Sequence, residues 1–182
     1  MTSNHKPELA VPVTAVDHTQ GADHAPLTLV EYADFECPHC KQAASVVQLL
    51  LERYAGRLRV VFRHYPLEGV HPHAMHAAQA AEAAGGQGKF WEMHALLFAN
   101  ASHLKIAQLR GYAEKLELDM LRFNAEMDDE VYLQRVREHI DGGNRSGVRA
   151  TPAFFLNGVI VDTSFGLEAL EQAIEAQLNK VK

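Results

Sequence analysis

Residues 27–51 read LTLVEYADFECPHCKQAASVVQLLL. The run Leu27–Tyr32 is apolar and β-favouring, and it leads through Ala33-Asp34-Phe35-Glu36 into Cys37-Pro38-His39-Cys40. Beyond the second cysteine, Ala43, Val46, Val47, Leu50, Leu51 and Tyr54 recur at helical spacing, which predicts a helix over 38–54 with one buried face. Strand, C-x-x-C and helix in this order are the layout of a redox-active cysteine pair. Cys37 and Cys40 are the only cysteines, so none remains for a structural disulfide, and that usage fits a catalytic pair.

The spacing has a physical meaning. Two residues between cysteines on the first turn of a helix bring the sulfurs within bonding reach. Cys37 falls at the helix N-terminus, where free N–H groups and the helix dipole favour a thiolate. Pro38 suits the first helical position because its missing N–H is not needed there. His39 adds a donor and, when protonated, a positive charge beside the sulfur. Cys37 is therefore expected to attack and Cys40 to resolve. Stabilising the thiolate also stabilises the reduced form, which makes the disulfide a stronger oxidant.

Cys-Pro-His-Cys, with Glu31 six residues upstream, resembles the DsbA family of disulfide oxidoreductases. Within it the chain is similar to the DsbA-like thioredoxin group with the pattern V-E-Y-x-D-F/Y-E-C-P-x-C. A second segment, Val148-Arg149-Ala150-Thr151-Pro152-Ala153-Phe154-Phe155-Leu156-Asn157-Gly158, resembles the family's G-V-x-x-T-P-x-F-F-I-N-G. The resemblance implies that the Thr151–Pro152 bond is cis and faces the cysteines. It implies that the Thr151 backbone pairs with an extended substrate peptide through β-type hydrogen bonds. It also implies that Glu31 is a buried acid able to exchange a proton with the resolving thiol. For Glu36 the residues themselves suggest only a solvated surface acid.

A chain of 182 residues is expected to form one domain, with room for an insertion. Its net charge of −6 offers no basic footprint for nucleic acid, and no nucleic-acid-binding motif is present. No stretch is apolar for the length of a membrane span. Residues 1–20 are polar and lack the basic start and apolar run of a signal peptide. A native start at Met1 thus predicts a cytoplasmic protein, and a removed leader an extracytoplasmic one.

In chain order, residues 1–26 read as an N-terminal extension, with an edge strand at Leu9–Val13 and a turn-rich connection at Asp17–Pro26. Leu58–Tyr65 is a strand, expected to run parallel to Leu27–Tyr32 because a helix connects them. At its end Arg63 and His64 read equally as strand caps or as substrate contacts. Helices are expected at His71–Ala84, Lys89–Asn100, Ile106–Leu116, Leu118–Met127 (capped by Asp119) and Asp129–Asn144, the last closed by Gly142-Gly143. Ala153–Leu156 and Val159–Val161 form a hairpin on an Asn157-Gly158 type I′ turn, and Gly166–Asn179 is the closing helix. The expected fold is α/β and thioredoxin-like: residues 27–66 and 148–182 form that domain and 67–147 an all-helical insertion, the insertion's place being implied by the resemblance.

The expected activity is thiol–disulfide exchange with protein thiols by Cys37 and Cys40, tuned by Pro38 and His39, with Thr151 and Pro152 shaping the substrate site and Glu31 as proton acceptor. It needs no cofactor beyond the redox-active disulfide, but it does need a recycling partner. By the resemblance, Pro-His between the cysteines leans toward oxidation; a cytoplasmic address and Thr151, where the family namesake has a Val-Pro pair, lean away from it. Three rivals stand beside this reading. His64, His71, His73 and His76 with the cysteines suggest zinc, but a zinc site usually takes two paired clusters, and a surface histidine cluster is the better account. A glutathione-dependent transferase or isomerase of the kappa type shares the scaffold but generally lacks a C-x-x-C. A non-catalytic peptide-binding module would not need both cysteines.

Overall fold

The structure, a computed structural model, describes residues 7–180. Strand β2 (Leu27–Ala33) is buried at every position but Thr28. Burial on both faces marks a central strand. With β1 (His18–Gly21), β3 (Leu58–His64), β4 (Ala153–Leu156) and β5 (Val159–Val161), it forms one sheet in the order β1-β3-β2-β4-β5. The Leu27 N–H donates to Arg57 O at one end of β2, and the Tyr65 N–H donates to Ala33 O at the other. The two strands therefore run parallel. The pairs β1–β3, β2–β4 and β4–β5 are antiparallel, so the sheet is mixed. The β4–β5 turn has Asn157 at φ 48° and Gly158 at φ 85°, as a type I′ turn requires.

The chain divides into two compact units. The first comprises the residues up to Tyr32, Ala43–Arg63 and those from Asp141 onward; the second comprises Ala33–Gln42 and His64–Ile140. In the first, helix α1 (Pro38–Arg53, of which Ala43 onward belongs here) and the closing helix cover one face of the sheet. Ala43, Val47, Leu50 and Tyr54 meet Leu27, Leu29, Leu58, Val60, Phe154 and Leu156, with Leu170 and Ile174 completing this core.

The second unit is built on α2 (Ala74–Gly85), in which seven alanines are buried and let neighbours approach closely. It packs against α3 (Phe90–Ala99), α4 (Ile106–Lys115) and α5 (Met120–Asp128). Asp119 caps α5, its carboxylate accepting the Arg122 N–H at 3.1 Å. Helix α6 (Leu133–Arg145) crosses from the second unit into the first, and α7 (Glu168–Leu178) ends the first.

Four expectations need correction. The edge strand is not Leu9–Val13 but His18–Gly21, inside the stretch read as a surface connection; its polar residues gain strand geometry by pairing with β3. Residues 71–73 form a turn, and α2 starts at Ala74. Helix α6 starts at Leu133, after Glu130 adopts φ 50°, which interrupts a helix. Gly142-Gly143 lie within α6 rather than closing it. A side chain at Gly142 would press on Val11 and the Tyr32 hydroxyl, and the helix ends instead on Gly147 at φ 80°.

Candidate active site

Cys37 occupies the N-cap of α1. Its carbonyl accepts the Lys41 N–H at 3.1 Å, and Pro38 is the first helical residue, where no N–H is missed. The Cys37 N–H donates to Asp34 O at 3.2 Å, and the Asp34 N–H points to Cys40 Sγ at 3.5 Å. The turn from Asp34 to Cys40 is thus tied together by its own backbone. Cys37 is 5% exposed and Cys40 fully buried, so Cys37 is the more accessible of the two. His39 is exposed on the same helical turn. Exposed Lys41 reaches toward Ala99 O at 3.5 Å.

Two acids fix this turn to the segment that follows β3. Asp34 is 1% exposed. Its Oδ1 accepts the Glu36 N–H at 2.7 Å; its Oδ2 accepts the Leu67 N–H at 2.8 Å and lies 2.7 Å from His71 Nδ1. Glu36 Oε2 accepts the His73 N–H at 2.8 Å. Glu36 is therefore more than the surface acid expected: only partly exposed, it satisfies a backbone donor just before α2. Burial opposes charging of His71, but its bond to Asp34 and the charges of Asp34, Cys37 and Glu36 outweigh that, so its pKa is raised. Between the two acids, Phe35 is 1% exposed, with ring centroids 4.8 Å from Phe98, 5.6 Å from His94 and 5.9 Å from His64. Asp34 stands within the motif but no role is legible for it there, and its pairing with His71 escapes sequence reasoning because the two lie far apart in the chain.

Among the described residues, the group that could hold a metal, His64 with Glu82 and His139, includes neither cysteine. His64 is fully buried, with Nε2 2.8 Å from Glu82 Oε1, its ring stacked on His139 at 5.4 Å and its N–H donating to His139 Nδ1. His64, Glu82 and His139 hold their ligating atoms within 4.8 Å of one another, as a metal site would require. However, the Arg135 guanidinium lies 2.7 Å from the same carboxylate. A cation there would have to displace it, and the group reads as a buried ion-pair network. Arg63 is likewise structural: it pairs with Asp17 at 2.9 Å and donates to Val11 O, Pro12 O and the Tyr32 hydroxyl.

Glu31, Thr151 and Pro152 belong to the first unit. Glu31 follows Leu27 and Leu29 on the sheet face covered by α1 and α7 and is 2% exposed. Its Oε1 has no hydrogen-bond partner among the described residues, and burial pushes its pKa from 4.5 up to about 8. The Thr151–Pro152 bond is cis. It precedes Ala153, which pairs with Tyr32 at the C-terminal end of β2. Thr151 is 9% exposed.

Residues 14–176 match a family model described as Thioredoxin. Among curated proteins, the chain is 49% identical over 168 residues to the Na(+)/H(+) antiporter NhaA 1 of Salinispora arenicola (strain CNS-205); the match covers 92% of this chain and 26% of that protein. The chain thus spans about a quarter of the length of the curated relatives it matches. Among the described residues, no helix is long and apolar enough to cross a membrane. Among solved structures, oxidised BdbD from Bacillus subtilis aligns with a TM-score of 0.84 at 21% identity, covering 96% of this chain and 100% of that one. A thioredoxin-like oxidoreductase from Silicibacter pomeroyi DSS-3 aligns at 0.71 and 26% identity, covering 87% and 92%. The fold is thioredoxin-like, of the DsbA-like form with added helices.

Proposed function

Since this chain belongs to the thioredoxin family, we propose that it is a thiol–disulfide oxidoreductase whose Cys37–Cys40 pair exchanges electrons with protein thiols. The observation that carries this reading is the place of Cys37 at the N-cap of α1, with Cys40 one turn on and buried. A sulfur at an N-cap meets the free N–H groups of the first turn, which favour its anion.

The exchange balances as follows. The Cys37 thiolate attacks one sulfur of a substrate disulfide; that S–S bond breaks, and the departing thiolate takes its electron pair and then a proton. The Cys40 thiol loses its proton, attacks Cys37 Sγ in the mixed disulfide and releases the second substrate thiolate. Two electrons leave the dithiol and the Cys37–Cys40 disulfide forms. The reverse sequence oxidises a substrate dithiol. No further cofactor enters, and a partner with its own dithiol or disulfide resets the pair. By resemblance, His39 tunes the potential, Glu31 exchanges a proton with the resolving thiol, and Thr151 with Pro152 presents a backbone edge to an extended peptide. The presence of both cysteines favours this reading over a kappa-type transferase or a peptide-binding module.

The test is exchange with a protein disulfide followed in glutathione buffers. Cys37→Ser abolishes exchange, and Cys40→Ser accumulates a mixed disulfide. Turnover retained in Cys37→Ser refutes the reading. The potential of the pair then sets its direction and compartment: about −120 mV fits an extracytoplasmic oxidant, and about −270 mV a cytoplasmic reductant.

A further inference from the structure

We propose that His71, held by the buried carboxylate of Asp34, is a cationic partner of the Cys37 thiolate, and that Asp34 is the positioning residue that keeps it there. The inference rests on the thiol-exchange reading above and adds two residues to it. Asp34 ties the two residues together. Its carbonyl accepts the Cys37 N–H at 3.2 Å, and its Oδ2 lies 2.7 Å from His71 Nδ1. The carboxylate cannot swing away, because the Glu36 and Leu67 N–H groups bind it as well. The bond from the His73 N–H to Glu36, the residue next to Cys37, fixes the same two segments a second time.

Charge completes the case. With Oδ2 on Nδ1, His71 donates through Nδ1 and its Nε2 remains for the second proton. The His71 side chain is 20% exposed, so water can deliver that proton, while the Asp34 side chain is wholly buried. The groups acting on the ring are Asp34, Cys37 and Glu36, and each favours the imidazolium. A buried carboxylate without a cation is costly, so Asp34 also gains from a charged His71. The favour returned to Cys37 is reciprocal: what the thiolate does for the imidazolium, the imidazolium does for the thiolate. When Cys37 enters a disulfide its charge disappears, and His71 loses one of its three anions.

The experiment titrates the His71 ring by NMR in the dithiol and disulfide forms of the wild-type protein, which needs no mutation. The expected result is a higher His71 pKa in the dithiol form; equal values in both forms overturn the proposal. His71→Gln keeps an N–H for Asp34 and removes the charge. At fixed pH it should lower the Cys37 thiolate fraction roughly three- to tenfold and shift the glutathione equilibrium toward the disulfide by up to the same factor, at most about 15–30 mV. His71→Arg, which keeps the charge, should recover most of that shift, whereas a merely structural role would not separate the two variants. A folded His71→Gln with wild-type thiolate titration and potential refutes the proposal. A pair that exchanges normally while His71 ignores its redox state sinks this inference alone; a pair that never forms a disulfide sinks the reading beneath it.

Discussion

Replacing Glu31 by Gln should stabilise the protein at alkaline pH and change it little at acid pH. Burial raises the Glu31 pKa from 4.5 to about 8 in the folded chain. Between those values the folded state keeps a proton that the unfolded state releases. Stability therefore falls as pH rises from about 4.5 to about 8, at about 1.4 kcal/mol per pH unit, and levels off beyond. Across that window the loss reaches roughly 5 kcal/mol, a large share of the 5–15 kcal/mol typical of a folded domain. The glutamine side chain is close in shape to the protonated acid and has nothing to ionise. Urea unfolding of both proteins under a thiol reductant at pH 5, 6, 7 and 8 reads the difference directly. The stability of Glu31→Gln minus that of the wild type should climb by about 1.4 kcal/mol per unit. An amide that fits less well would add an offset, but one constant in pH. A difference flat across the series refutes the reasoning, because Glu31 would then ionise in the folded chain as it does in the unfolded one.

Three further outcomes follow from the buried charges and caps. Asp17→Ala strands the Arg63 guanidinium, which is only 3% exposed, and should cost roughly 3 kcal/mol in chemical unfolding at neutral pH. Glu82→Ala leaves His64 and Arg135 without the carboxylate between them, and a similar loss of roughly 3 kcal/mol is expected by the same assay. Asp119→Ala removes the acceptor for the Arg122 N–H at the start of α5 and should cost about 1 kcal/mol, with Asp119→Asn close to wild type.

What the sequence disclosed and what it withheld divide along a physical line. Local patterns were legible because local physics sets them. Leu27–Tyr32 reads as a buried strand because its run is apolar on both faces, and Asn157-Gly158 reads as a turn because its backbone needs positive φ. The helices follow from their stripes, and Asp119 from its place before one. The edge strand His18–Gly21 was not legible, since polar residues become a strand only when β3 offers its edge. Nor was Arg63–Asp17, a pair 46 positions apart whose meaning lies in being buried together. The candidate site splits in the same way. Its sulfurs are announced by a spacing of three residues on one helical turn. The groups proposed to set their charge, Asp34 and His71, are 37 positions apart, and their pairing is visible only once the segment after β3 lies against the turn before α1. A short motif can therefore point to the sulfurs of such a site and carry Asp34 among its residues, while the partner of that carboxylate, His71, comes into reach only through the fold.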